Sequence, residues 1–199
     1  YLNLGQTPIY TENTMSLWAA ANANPNGLTA QGIPNYVAYP NTDWTKVIFK
    51  KNLVQQHAVS LNGGGENTRY LLSTGYINNP GLVDNTRSDK YSLRVNLESK
   101  VAKFLTVGTQ TFGSYQTFGL ASTDYAFNYG RATTPGLYPD YQGRYGFPSA
   151  AEESATANNI LVYLNSTAGS ILENRLNSTV FARFDILKGL QFESRFNYQ

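Results

Sequence analysis

Cysteine is absent from the 199 residues, which removes disulfide scaffolds and thiolate metal sites. Histidine occurs once, as His57, so neither a histidine metal set nor a nucleophile and base pair can be assembled around it, and it reads as a strand-end residue. No stretch approaches the roughly 20 apolar residues of a membrane-spanning helix, and a helical membrane protein is excluded. Charge is scarce, at 14% of residues against roughly 25% in an average soluble domain. The formal net charge is only +2, with the 15 Lys and Arg dispersed among acids, so binding of nucleic acid has no electrostatic support.

Aromatic residues fill part of that gap. Fifteen Tyr and 10 Phe beside so little charge suit a barrel whose outer wall meets lipid. The chain begins at Tyr1 with no initiator Met, basic leader or apolar signal core, and Gln199 falls inside a strand pattern. The expectation is therefore an internal piece of a longer precursor.

Residues 9–44 are rich in Asn, Ala, Pro and Gly, and only residues 14–22 read as helical, with Glu12 or Thr14 near the start and Pro25 beyond the end. From Val54 a period of two takes over and persists through six runs. The third is the cleanest: Tyr91, Leu93, Val95 and Leu97 oppose Ser92, Arg94, Asn96 and Glu98. In the others the apolar parity carries Val59 and Leu61, then Tyr70 and Leu72, then Leu105, Val107 and Tyr115, then Leu176, Val180 and Phe184, then Phe192, Phe196 and Tyr198. Arg69, Arg94, Glu98, Arg183, Asp185, Glu193 and Arg195 all fall on the opposite parity. A lipid bilayer enforces such a split, because a Lys or Arg facing its midplane costs about 2–4 kcal/mol. A soluble sheet with one wet face alternates too, and the connections separate the two cases. They run short, longer, short, very long and tight at residues 63–67, 78–89, 99–103, 118–174 and 188–189. Short turns at one end and long loops at the other are the habit of outer-membrane barrels.

The reading is an all-β fold of antiparallel transmembrane β-barrel strands with long extracellular loops and a short helix near residues 14–22. Residues 1–53 form an extracellular loop region leading into a barrel strand, residues 54–117 four strands with short periplasmic turns, residues 118–174 a long extracellular loop, and residues 175–199 two further strands.

Three segments carry a family resemblance. Tyr39-Pro40-Asn41-Thr42-Asp43-Trp44 with Val47-Ile48-Phe49 resembles the approach to an early barrel strand in SusC-like TonB-dependent outer-membrane transporters. His57-Ala58-Val59-Ser60-Leu61-Asn62-Gly63-Gly64 with Asn67-Thr68-Arg69-Tyr70 resembles the hairpin that follows there. Gly75-Tyr76-Ile77-Asn78-Asn79-Pro80-Gly81, then Arg87, Tyr91-Ser92-Leu93-Arg94-Val95-Asn96-Leu97 and Leu105-Thr106-Val107-Gly108, is similar to the family's next block. Pro80 and Asp89-Lys90 depart from its usual wording at an outer hairpin. The resemblance implies a 22-stranded barrel in the bacterial outer membrane, a plug and a TonB contact in parts of the chain not present here, and a SusD-like surface lipoprotein as partner. It implies import of a glycan or peptide ligand.

Few residues offer chemistry. Gly63-Gly64-Gly65 lacks the Lys-Ser or Lys-Thr and the helix of a phosphate loop and reads as a turn. Asp140-Tyr141-Gln142-Gly143 has too few oxygens for a calcium loop. The sequons at Asn165 and Asn177 read as chance. The expectation is no enzyme, no cofactor and no metal. Ligand binding falls to the loop aromatics Tyr125, Tyr129, Tyr138, Tyr141 and Tyr145, interleaved with Asp124, Asn128, Arg131, Asp140 and Arg144, because aromatic faces stack on sugar rings or peptide side chains while polar neighbours fix orientation. The same rings could instead make the loop's own core or meet the lid protein. Trp18, Tyr36 and Tyr39 pose the same alternative. A soluble all-β carbohydrate-binding module and a small stand-alone barrel or adhesin remain the competing classes.

Overall fold

The structure, a computed structural model, describes residues 10–130, 133–147 and 159–199. In chain order its elements are α1 (Glu12–Ala23), α2 (Asn35–Ala38), α3 (Trp44–Ile48), β1 (Gln55–Gly64), β2 (Thr68–Pro80), β3 (Arg87–Ala102), β4 (Leu105–Leu120), α4 (Thr123–Gly130), β5 (Asp140–Tyr141), β6 (Arg144–Tyr145), α5 (Ile160–Ser166), β7 (Gly169–Leu187) and β8 (Leu190–Tyr198). They fall into two compact units. One holds the described parts of Tyr1–Lys51, Leu82–Asn85 and Ala121–Gly169, and the other holds Asn52–Gly81, Thr86–Leu120 and Ser170–Gln199.

The second unit is an open six-stranded sheet in the order β1-β2-β3-β4-β7-β8. Pairing is antiparallel through both the β1-to-β4 meander and the β7–β8 hairpin. The apolar parity lies on one face and is uncovered: Val59, Leu61, Leu72, Leu93, Leu97, Val180 and Phe196 are all exposed. So continuous an apolar surface is a liability in water and the expected wall of a protein in lipid.

The register puts His57, Tyr76, Tyr91 and Tyr115 directly opposite one another across β1 to β4. Their ring centroids are spaced at 6.4, 4.8 and 6.4 Å. Beyond this row, toward the ends from which the longer connections leave, the same face turns polar. Asp89, only 6% exposed, accepts from Asn78 Nδ2 at 2.5 Å and from Arg87 Nε at 2.9 Å. The row therefore marks an edge of the apolar band, the position of an interfacial girdle. From Leu105 to Tyr115 the strand advances about 33 Å at ~3.3 Å per residue. A tilt of about 45° reduces that to roughly 23 Å, close to the ~25 Å height of an outer-membrane barrel's apolar band.

The opposite face carries the charges. Glu193 accepts from Arg183 Nε at 2.9 Å and also from Arg195, while Arg183 approaches Glu98 at 3.9 Å. Phe181 is buried among them, with the Arg183 and Arg195 guanidinium carbons 5.6 and 5.8 Å from its ring centroid. Gly108 makes room for that ring: a Cβ there would lie 2.4 Å from Phe181 Cζ and 2.6 Å from the Leu97 carbonyl oxygen.

The structure differs from the sequence reading in three places. Val47-Ile48-Phe49 does not lead straight into a strand, since Trp44–Ile48 is helical and the first strand starts at Gln55. Asp43 caps that helix by accepting from Lys46 N at 3.2 Å, and Trp44 and Ile48, four apart on one helical face, are both buried. Three helices rather than one occupy the first segment, and α1 opens two residues earlier because Thr11 Oγ1 caps it, accepting from Thr14 N at 3.3 Å. The long connection contracts to residues 121–168, because β4 runs on to Leu120 and β7 begins at Gly169.

Candidate functional site

The other unit has its own apolar core, in which Trp44, Ile48, Val83, Ala126, Leu137, Ile160 and Leu164 pack together. Polar bonds tie its sequence-distant parts. Trp44 Nε1 donates to the Thr134 carbonyl at 2.8 Å, and Thr42 Oγ1 to the Leu137 carbonyl at 2.6 Å. Asn159, fully buried, does the most. Its Nδ2 donates to the carbonyls of Pro139, Tyr138 and Gly146 at 2.7, 3.1 and 3.2 Å, while its Oδ1 caps α5 by accepting from Leu161 N at 3.1 Å.

Those carbonyls form the base of the β5–β6 hairpin, in which Asp140 pairs with Tyr145 and Tyr141 with Arg144. Gln142 and Gly143, with φ of 52° and 76°, make the turn, a left-handed pair that suits a two-residue hairpin. Only glycine fits position 146, where a Cβ would meet the Tyr138 carbonyl oxygen at 2.1 Å. Tyr145 is held from its hydroxyl, which accepts from Asn165 Nδ2 at 2.7 Å, and Asn165 Oδ1 accepts in turn from Asn85 Nδ2 at 2.9 Å.

The hairpin forms one wall of a groove of about 720 Å³, and residues 29–39 form the other. Tyr138, Tyr141 and Tyr145 all line it, joined by Tyr39, Phe147, Arg144 and Gln31. Tyr36 lies 6.0 Å from Tyr138 and Tyr138 lies 6.3 Å from Tyr141, ring to ring. Trp18 supports the adjoining segment, donating to the Pro40 carbonyl at 2.7 Å and meeting Tyr39 edge-on at 5.4 Å. Two separate aromatic features of the sequence thus converge. Tyr129 goes elsewhere, stacking on Tyr163 at 6.0 Å. Tyr125 belongs to α4, with its side chain outside the described residues, as is Arg131 altogether.

Burial, followed by the proximity of Tyr36, Asp140 and Tyr141, raises the Tyr138 phenol above its ordinary pKa, so at neutral pH it remains a hydroxyl able to donate. The Asp43 carboxylate is held below its ordinary value, first by the backbone N–H of Lys46 and then by the Lys46 side chain. A lowered folded pKa stabilises the cap above the unfolded value near 3.8 and withdraws that support as pH falls through the folded one. Acid titration followed by tryptophan fluorescence should show Trp44 loosening in that low range. In Asp43→Asn, which caps without titrating, this component of the transition should disappear.

Among the described residues no group of three or more His, Cys, Asp or Glu is placed to hold a metal. Asn159 and Asn85, which help set the groove's geometry, were not singled out by the sequence, and Asn165 stood there only as a chance sequon. The one local signal was Asn159 standing immediately before the apolar run Ile160-Leu161-Val162, where a helix cap belongs.

No protein-family model matches the chain. TonB-dependent receptor P3 of Formosa agariphila is 23% identical over 176 residues, which is 82% of this chain and 17% of that protein. TonB-dependent receptor SusC of Bacteroides thetaiotaomicron is 35% identical over 75 residues, 38% of this chain and 8% of that protein. Among solved structures, the RagAB peptide transporter superposes with a TM-score of 0.61 at 26% identity, covering 79% of this chain and 18% of that one. The RagAB peptide importer in its closed-closed state gives 0.62 at 21% identity over 92% of this chain and 24% of that one, a likeness of fold. The chain thus spans about a sixth of the length of the first of these receptors.

Proposed function

From the premise that this chain is SusC-like and belongs with the TonB-dependent receptors, we propose that it supplies wall and ligand-binding loops to an outer-membrane importer of glycans or oligopeptides. The observation that carries this is the six-stranded antiparallel sheet with an uncovered apolar face bounded by an aromatic row. A soluble carbohydrate-binding module would have to hide that face. The relatives are receptors and transporters, and the expectation of no enzymatic activity stands with them.

The sheet is the transmembrane part, residues 81–86 and 121–168 are extracellular connections, and residues 65–67, 103–104 and 188–189 are periplasmic turns. Ligand is taken at the groove of Tyr138, Tyr141 and Tyr145, under a SusD-like lipoprotein lid, and is admitted when TonB acts on a plug. Tyr125 and Tyr129 contribute to the same loop, Tyr129 by holding α4 against α5 and not by lining the groove.

The test is uptake by cells carrying the full-length protein with Tyr138, Tyr141 and Tyr145 all changed to Ala. Each ring lost from a stacking site weakens binding by roughly 0.5–1.5 kcal/mol, so the half-saturating concentration should rise at least about tenfold at unchanged surface abundance. Uptake indistinguishable from the parent protein would remove the groove from the pathway. A full-length product released from cells without detergent would remove the barrel.

A further inference from the structure

The chemistry of the groove narrows its ligand. Among the described residues, Arg144 is the only charged one lining it, and no carboxylate there bonds to it or shares the groove. The nearby acids Asp43 and Asp140 line a neighbouring hollow together with Lys46. An exposed guanidinium at the rim of an aromatic groove, with no carboxylate partner among the described residues, favours an anion, and its planar fork suits the two oxygens of a carboxylate or sulfate.

The hairpin turn sets where Arg144 stands. Gln142 occupies the left-handed region at φ 52°, a conformation that costs a residue with a side chain and persists only where its surroundings impose it. The turn it completes places Tyr141 and Arg144 opposite each other in the hairpin, and the buried Asn159 clamps the hairpin's base. Tyr141 and Arg144 are therefore cross-strand neighbours that line the same groove. Thr29, Gln31 and Gln142 add hydroxyl and amide groups to the lining, the donors and acceptors that ring hydroxyls need.

We propose that this groove binds an acidic oligosaccharide, with Arg144 taking the carboxylate or sulfate of one sugar and Tyr141 stacking on that sugar or its neighbour. The proposal rests on the groove being the ligand site of the importer described above.

The test uses the full-length protein in detergent, with tetragalacturonate, its methyl ester and tetraglutamate as probes in titration calorimetry. A charge-assisted bidentate contact gives an expected preference of at least about tenfold for the free acid over the ester. Arg144→Gln should abolish that preference, and Tyr141→Ala should weaken acid and ester alike. If Tyr141→Ala weakens binding while acid and ester bind equally, the acidic specificity is wrong and the groove survives as a site. If Tyr141→Ala and Arg144→Gln leave every probe's affinity unchanged, the groove itself fails, and the site proposed above fails with it. Tighter binding of tetraglutamate than of tetragalacturonate, or no binding of tetragalacturonate at millimolar concentration, would overturn the saccharide assignment.

Discussion

Replacing Asn159 by Leu should destabilise the helical unit by about 3–5 kcal/mol, because one buried amide serves four backbone groups. Losing the cap of α5 costs about 0.5–2 kcal/mol. The Tyr138 carbonyl keeps the Gly146 N–H at 3.1 Å, but leaving those of Pro139 and Gly146 without the amide donor costs about 1–3 kcal/mol for each that stays dry, less whatever relaxation recovers. Asn159→Asp is the sharper variant. It keeps the shape and the acceptor of the cap, but sets a carboxylate against three carbonyl oxygens, so it should be damaging despite being isosteric. Limited trypsin digestion of the full-length protein reads the result, with cleavage after Arg144 accelerating at least tenfold in both variants. A cleavage rate equal to the parent's in Asn159→Asp would mean that the amide does not hold the hairpin.

Leu71 and Leu72 provide the second test, since adjacent residues of a strand face opposite sides. Leu72 belongs to the exposed apolar face and shares a row with Leu61, Val95 and Thr111. Leu71 pairs with Asn62 and Asn96 on the polar face. Arg at Leu72 would sit near the middle of the apolar band and should cost about 2–4 kcal/mol of folding in lipid. Arg at Leu71 would join a surface that already carries Arg69 and Glu98, and should cost well under half as much. Guanidinium unfolding of the full-length protein in vesicles measures the difference. Equal costs for the two variants would mean that this sheet does not face lipid.

How much was legible in the sequence differs between the two units for a physical reason. Strand parity is a local property: Tyr91, Leu93, Val95 and Leu97 against Ser92, Arg94, Asn96 and Glu98 declare a two-sided strand without any partner in view. The apolar run Val47-Ile48-Phe49 is the counterexample. Three apolar residues fit a strand or a buried helical turn equally well, and the Asp43 cap with Trp44 and Ile48 entering one core decided for the helix. Phe112 and Phe181 on the polar parity had no local explanation. Arg94 lies over the ring of Phe112 at 5.6 Å, and the missing side chain of Gly108 receives Phe181.

The sequence by itself determined the sheet, its two faces and the tyrosines at the edge of the apolar band, because a period of two and a lipid solvent act on each residue through its nearest neighbours. Only the tertiary structure decided which aromatics share a groove. Residues 29–39 and 138–147 are separated by about a hundred positions, and their meeting depends on the core around Trp44 and Leu137 and on the buried Asn159. Such contacts leave no periodic trace in the chain, since each is made once, between residues whose neighbours in sequence say nothing of the partner.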